Sequence, residues 1–210
     1  MNVEVILAEF NRSPRNVDNL KKYFNTVKFI SSASNIFKDH PRWGWRMNDY
    51  WKVNLLLKCK EIGISFDGDM IIVSDKVKDI VPLVKKFGIC LPANPRYLVG
   101  TDASIGADGG AVDIGTGYAV NCGIIAADVN NPRARELIVR FCELMLDKPE
   151  RGPLVWWRAI WETGIVPYLL PPQWCVCEEN IGIGKEIVLH AGHEKVRQYY
   201  NISFDSGTVR

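Results

Sequence analysis

The sequence predicts an α/β fold in which a mostly parallel central sheet is flanked by helices on both faces. Short apolar, β-branched segments alternate along the chain with longer amphipathic segments, and this alternation is typical of strand–helix–strand units. The length of 210 residues, with 47% hydrophobic and 24% charged residues, suits one large domain. Neither an internal repeat nor a low-complexity linker divides the chain.

Apolar periodicity predicts the elements of the N-terminal half. Extended segments are expected at residues 3–8, 27–30, 62–66 and 70–73. Helices are expected at residues 18–24, 50–62 and 76–87. Pro82 falls inside the last of these, so we expect that helix to begin near Ile80. Residues 31–48, rich in Ser, Asn, Pro and Trp, are expected to be irregular.

The C-terminal half continues the alternation. Extended segments are expected at residues 96–99, 118–127 and 186–190, and a turn at 190–193. Helices are expected at residues 131–146 and 154–163. Residues 100–117 contain six glycines and are expected to form a long loop. We therefore predict one domain at residues 1–196 and a C-terminal tail at 197–210.

Charge and hydropathy argue against a few classes of protein, namely nucleic-acid binders, membrane-spanning proteins and secreted proteins. The formal net charge of +2 does not indicate the basic face of a typical nucleic-acid binder. No apolar run approaches the ~20 residues that cross a bilayer. The first ten residues carry Glu4 and Glu9 and lack a basic leader. We therefore expect a cytoplasmic protein.

The chain has six cysteines, and we expect buried free thiols rather than a disulfide framework. Cys175 and Cys177 form the one close pair. A single intervening residue is not the usual spacing of zinc ligands, which are most often two to four residues apart. The pair therefore carries no functional prediction of its own.

The segment Asp67-Gly68-Asp69 is the strongest candidate for a ligand site. It directly follows the apolar strand predicted at residues 62–66, and ligands of open α/β sheets bind beyond the carboxyl ends of strands. Gly68 permits a turn that would aim both carboxylates at one cation, and Mg²⁺ or Mn²⁺ prefers oxygen ligands. The alternative interpretation is a polar turn without a ligand.

Several motifs accompany this segment in chain order. They are Asp67-Gly68-Asp69-Met70, Asn121-Cys122-Gly123-Ile124, Leu170-Pro171-Pro172-Gln173-Trp174, and finally His190 with Gly192 and Lys195. Together they resemble the GT-A fold nucleotide-diphosphosugar transferases, and within them the family of glycogenin and the lipopolysaccharide galactosyltransferases. The resemblance covers most of the chain and implies a single Rossmann-like domain.

The resemblance implies a metal-dependent glycosyltransferase, with a nucleotide-diphosphate sugar, most often a UDP-sugar, as donor and Mn²⁺ or Mg²⁺ as cofactor. Metal ligands would be Asp67, Asp69 and His190, with His193 as a rival to His190. Asn121 would face the donor sugar. The remaining donor-binding positions would be Asn11, Arg12, Lys52 (with Lys58 or Arg46 as alternatives), Gly68, Gly192 and Lys195.

Around the acceptor, the chain departs from the family pattern. The family often has an acid or an Asp-Gln pair where this chain has residues 151–158, which contain no acid. The acceptor could be a saccharide, a protein or a modified nucleobase. Retention of configuration is the outcome the resemblance favours. An inverting reaction would instead need a carboxylate base, and the candidates include Asp102 and Asp108 in the glycine-rich loop, which could also close over the donor.

Aromatic residues cluster on the helix predicted at 154–163, where Trp156, Trp157 and Trp161 surround Arg158. They could pack in the core or stack on a sugar or base. Alternative functions for the chain as a whole are a non-catalytic nucleotide-sugar binder of the same fold or an Asp-x-Asp phosphatase. The phosphatase is disfavoured because its motif usually lies near the N-terminus.

Overall fold

The computed structural model describes residues 2–8, 17–30, 34, 36–39, 43–94, 120–147 and 152–203. Several predicted positions lie outside these ranges, so their expected roles stay predictions: Asn11, Arg12, the extended segment 96–99, the glycine-rich loop 100–117, and Asp102 and Asp108 within it.

The strands are short and mostly buried. They are β1 (Val3–Ala8), β2 (Val27–Ile30), β3 (Ile62–Asp67), β4 (Met70–Ile72), β5 (Ile89–Pro92), β6 (Ile124–Asp128), β7 (Tyr168–Leu170) and β8 (Val188–His190). The helices are α1 (Val17–Lys21), α2 (Trp43–Asn54), α3 (Ile80–Phe87), α4 (Pro132–Asp147), α5 (Gly152–Thr163) and α6 (Glu194–Tyr199).

Within the described residues, six strands form the main sheet in the order β2-β1-β3-β6-β5-β7. The pairs β1–β2, β1–β3 and β5–β7 are parallel, whereas β6 runs antiparallel to both β3 and β5. The sheet is therefore mixed and mostly parallel, which confirms the predicted fold class. A second ladder joins β4 to β8 in antiparallel register, with Met70 opposite His190.

Two apolar clusters cover the main sheet. One contains the buried faces of α4 and α5, with Phe141 and Trp156 stacked at 4.2 Å between ring centroids. The other contains β3, β4 and α3 and includes Phe66 and Met70. Apolar burial on both faces holds the sheet between layers of helices, so its strand ends occupy fixed positions.

The structure corrects several predicted boundaries. Helix α2 begins at Trp43, inside the segment expected to be irregular, and passes into a 3₁₀ turn at Leu55–Lys58 instead of continuing to residue 62. Strand β6 runs from Ile124 to Asp128, so within the described residues it begins later than the segment predicted at 118–127. Strands β5 and β7 were not predicted. Helix α6 extends to Tyr199, so Arg197 is helical; the domain boundary at residue 196 stays a prediction.

No helix in the described ranges has both the length and the apolar composition needed to cross a membrane.

Candidate metal and nucleotide-sugar site

The Asp-x-Asp segment connects the two sheets. Asp67 ends β3 in the main sheet, and Met70 begins β4 in the small ladder. Because Met70 pairs with His190, the turn that holds Asp69 lies against the turn that follows β8. The backbone N–H of Ala191 donates to the carbonyl oxygen of Asp69 at 2.8 Å, which ties the two turns together.

This arrangement brings Asp67, Asp69 and His190 into one group. One ligand atom from each lies within 4.8 Å of the others, and Nε2 of His190 is 3.5 Å from Oδ1 of Asp69. The three side chains are partly exposed, so a ligand can reach them from solvent. Two carboxylates and one imidazole suit Mn²⁺ or Mg²⁺ and leave coordination positions for phosphate oxygens.

Lys52 supports the carboxylate of Asp67. Its ammonium is 2.8 Å from Oδ1 of Asp67 and 3.1 Å from Oδ1 of Asp49, and its side chain is only 4% exposed. Burial alone would lower the pKa of Lys52, but Asp67 and Asp49 outweigh burial and raise that pKa well above its ordinary value. Lys52 is therefore a permanent positive charge beneath the Asp-x-Asp turn.

The pKa values of the metal-free group reflect both burial and neighbouring charges. Burial raises the pKa of Asp67, an effect that Lys52 opposes and Asp69 reinforces. Burial would lower the pKa of His190, but Asp69 and then Cys177 raise it well above its ordinary value. A cation that binds the imidazole must therefore displace a proton from His190.

Two glycines make room for the acidic group. A Cβ at Gly192 would lie 2.2 Å from Oδ2 of Asp69, and a Cβ at Gly123 would lie 1.8 Å from Cε of Met70. Real Cβ atoms do not approach other atoms this closely, so a side chain at Gly192 would displace the carboxylate of Asp69, and one at Gly123 would displace the end of the Met70 side chain. Gly192, predicted as a donor-binding residue, thus leaves the space that the carboxylate of Asp69 occupies.

Asn121 lies beside the same group. Its Oδ1 accepts a hydrogen bond from the N–H of Gly123 at 2.7 Å, and the carbonyl of Gly123 accepts from the N–H of Asp67 at 2.8 Å. The Asn-x-Gly turn is therefore attached directly to the start of the Asp-x-Asp turn. This contact orients the amide of Asn121 at the edge of the site.

Lys195 does not join the group in this structure. Its ammonium is 3.4 Å from Oε2 of Glu178, and its side chain is 72% exposed. Lys195 is predicted to bind the donor, and contact with the donor's diphosphate would require it to leave Glu178. Of the two rival histidines, His190 is the one grouped with Asp67 and Asp69.

Sequence reasoning missed two residues around His190. Arg197, predicted to begin the tail, donates from Nη1 to the carbonyls of Ala191 at 2.7 Å and Gly192 at 2.9 Å. Arg197 therefore holds the turn that is hydrogen-bonded to Asp69. Cys177 lies with Sγ 3.6 Å from Nδ1 of His190. Neither contact had a sequence signal, because both depend on how separate segments meet in space.

The predicted aromatic cluster divides between core and surface. Trp156 is fully buried, whereas Trp161 is 66% exposed and its ring lies 5.8 Å from that of Trp157. The core interpretation holds for Trp156 alone.

No protein-family profile matches the sequence, and a search of curated proteins finds no match. Solved structures do match. A glycosyltransferase involved in glycosylation of the major capsid of PBCV-1 superposes with a TM-score of 0.61 at 9% identity, over 96% of this chain and 99% of that one. The galactosyltransferase LgtC, solved with donor and acceptor sugar analogs, gives a TM-score of 0.56 at 10% identity, over 99% and 97%.

A further match is the bifunctional glycosyltransferase WbbM, with a TM-score of 0.55 at 12% identity. It covers 83% of this chain, and the chain spans only 39% of WbbM. Identities this low establish the fold and not the reaction. The strand order, the position of the Asp-x-Asp turn and these structural neighbours together show that the chain has the GT-A fold of glycosyltransferases.

Proposed function

We propose that this protein is a metal-dependent glycosyltransferase that takes a sugar from a nucleotide-diphosphate sugar, foremost a UDP-sugar. The observation that carries the proposal is the convergence of Asp67, Asp69 and His190 where β3 and β8 end, in a GT-A fold. Two segments far apart in sequence supply this group, the Asp-x-Asp turn and the end of β8. A plain polar turn would need only the first of them.

The two carboxylates and Nε2 of His190 would hold Mn²⁺ or Mg²⁺. A cation bound there would neutralise charge on the departing diphosphate. Lys52 fixes the carboxylate of Asp67 from below, and Gly192 leaves space for that of Asp69. Asn121, oriented by Gly123, is proposed to face the donor sugar. Lys195 is proposed to exchange Glu178 for a phosphate oxygen when the donor binds.

We expect retention of configuration, and an acceptor hydroxyl on a saccharide, a protein or a modified nucleobase. If the reaction inverts instead, a carboxylate base must take the proton of the attacking hydroxyl. Asp102 and Asp108 are the proposed candidates for that base.

The test is calorimetric titration of UDP and a panel of UDP-sugars into the protein, with Mn²⁺ and with a chelator, followed by measurement of slow donor hydrolysis. We expect nucleotide binding only with the cation. Substitution of Asp69→Asn should weaken it by at least about 100-fold, because loss of even an outer-shell metal partner costs 10- to 100-fold. Asp75→Asn is the matched control, since the Asp75 side chain is 84% exposed and pairs with Lys78.

Two outcomes separate the alternatives. Nucleotide binding that is equally tight with chelator, or unchanged in Asp69→Asn, contradicts the proposed site. Cation-dependent binding with neither hydrolysis nor transfer to any acceptor favours the non-catalytic nucleotide-sugar binder.

A further inference from the structure

The cysteine pair lies on the far side of His190 from the acidic group. The segment around Val176 is extended and runs parallel to β8, with Val176 opposite Leu189. The N–H of Val176 donates to Val188 at 3.0 Å, and the N–H of His190 donates to Val176 at 2.9 Å. Side chains alternate along an extended segment, so Cys175 and Cys177 share one face. Because Val176 lies opposite Leu189 in a parallel pair, the residues that follow them, Cys177 and His190, lie side by side.

The distances within this group match those of a zinc site. The sulfurs of Cys175 and Cys177 are 3.6 Å apart, and Sγ of Cys177 is 3.6 Å from Nδ1 of His190. Zinc bonds of about 2.3 Å to sulfur and about 2.05 Å to nitrogen, in a tetrahedron, place sulfurs about 3.8 Å apart and sulfur about 3.6 Å from nitrogen. Ligand atoms of all three residues lie within 4.8 Å of one another.

His193 lies beside this group. Its ring meets that of His190 edge-on, with centroids 4.6 Å apart, and its Nδ1 is 3.6 Å from Oε1 of Glu178. Two sulfurs and two imidazoles are a standard ligand set for structural zinc. His193 would complete that set by leaving Glu178.

The other cysteines show what an ordinary buried thiol looks like in this chain. Cys90 lies in one of the two apolar clusters, and Cys142 is buried in the other. Neither belongs to a group of potential metal ligands in the described part of the chain. Cys175 and Cys177 are equally buried, at 0% and 3% exposure, yet they face each other and an imidazole. Apolar packing does not require that arrangement.

We propose that Cys175, Cys177 and His190 bind a zinc ion, with His193 as the fourth ligand, at a site that shares only His190 with the oxygen-rich group of Asp67 and Asp69. Soft thiolates select zinc, and carboxylates select Mn²⁺ or Mg²⁺, so the two groups prefer different cations. They use different nitrogens of His190: Nδ1 faces the thiols and Nε2 faces Asp69. The zinc site does not depend on transferase activity.

The test measures metal content and cobalt absorption on the full chain. Protein purified without chelator should contain about one zinc ion per chain. A Cys175→Ser/Cys177→Ser double variant should retain less than a tenth of it. Cys142→Ser, a matched buried thiol in the other apolar cluster, should retain all of it. Metal-free wild-type protein given Co²⁺ should show the near-ultraviolet charge-transfer absorption of a cobalt–thiolate bond.

The cobalt measurement keeps the proposal open to contradiction even if the double variant fails to fold. Wild-type protein that binds Co²⁺ without thiolate absorption overturns the proposal, because the ion is then held by oxygen and nitrogen alone. Full zinc content in a folded double variant overturns it as well.

Discussion

At the scale of single residues, neighbouring side chains and turns fix the positions of the Asp67 and Asp69 carboxylates. The carboxylate of Asp69 occupies the space that a Cβ at Gly192 would need, and Arg197 holds the turn that contains Gly192. Asp67 is held by the buried ammonium of Lys52. Each contact fixes one carboxylate without occupying all of its oxygen lone pairs. The site is therefore organised by its neighbours before any cation is bound.

Substitution of Gly192→Ala should weaken cation-dependent nucleotide binding by at least about tenfold, because the new methyl group would lie 2.2 Å from Oδ2 of Asp69 and displace it. Calorimetric titration with Mn²⁺ measures the effect. Gly44→Ala is the control, since no atom lies within 4 Å of a Cβ there and alanine is the better residue inside a helix. Equal affinities for the two variants would contradict the steric account.

Substitution of Lys52→Met should lower the free energy of unfolding by about 3 kcal/mol, because it leaves Asp67 and Asp49 without their buried cation. Urea denaturation in chelator measures this loss. Lys85→Met removes an ammonium that is 38% exposed and pairs with Asp128, and should cost less than about 1 kcal/mol. If both substitutions have the same cost, Lys52 is not the buried support that the geometry indicates.

At the scale of elements, the contact between α4 and α5 stabilises one face of the sheet. Trp156 stacks on Phe141 in that contact and is fully buried. Trp161 lies on the same helix but faces solvent. The helix therefore presents one aromatic residue to the core and another to the surface, a division that sequence periodicity did not resolve.

Substitution of Trp156→Ala should lower the free energy of unfolding by about 3–5 kcal/mol, the usual cost of removing a large buried aromatic side chain. Trp161→Ala should change it by less than about 0.5 kcal/mol, as for most surface positions. Chemical denaturation of both variants supplies the comparison. A large loss of stability in Trp161→Ala would mean that its exposed face is covered.

Sequence periodicity predicted some elements well and missed others for physical reasons. Strand β3 has six residues, five of them fully buried, and α3 has a strong apolar face, so local patterns were sufficient. Strands β5 and β7 have only four and three residues, and their pairing partners are distant in sequence. Helix α2 starts earlier than predicted, and its Arg46 donates a hydrogen bond to the carbonyl of Met145, a tertiary contact that no local pattern contains.

At the scale of the whole molecule, the fold brings the ends of β3 and β8 together, and the candidate site lies where they meet. The sequence order of Asp67, Asp69 and His190 was enough to predict this group, because a resemblance in motif order reflects a shared topology. The contact of Cys177 with His190 was beyond such reasoning, since it depends on the register of two extended segments. Contacts set by register appear only once the chain is folded.

The central claim is that Asp67, Asp69 and His190 hold the cation of a nucleotide-sugar site. Crystals grown with Mn²⁺ and UDP, measured for anomalous scattering of manganese, test it most directly. The account predicts one strong manganese peak within about 2.3 Å of oxygens of Asp67 and Asp69 and of Nε2 of His190, with phosphate oxygens completing its shell. A nucleotide bound with no manganese at these residues, or manganese bound only elsewhere, would contradict the account.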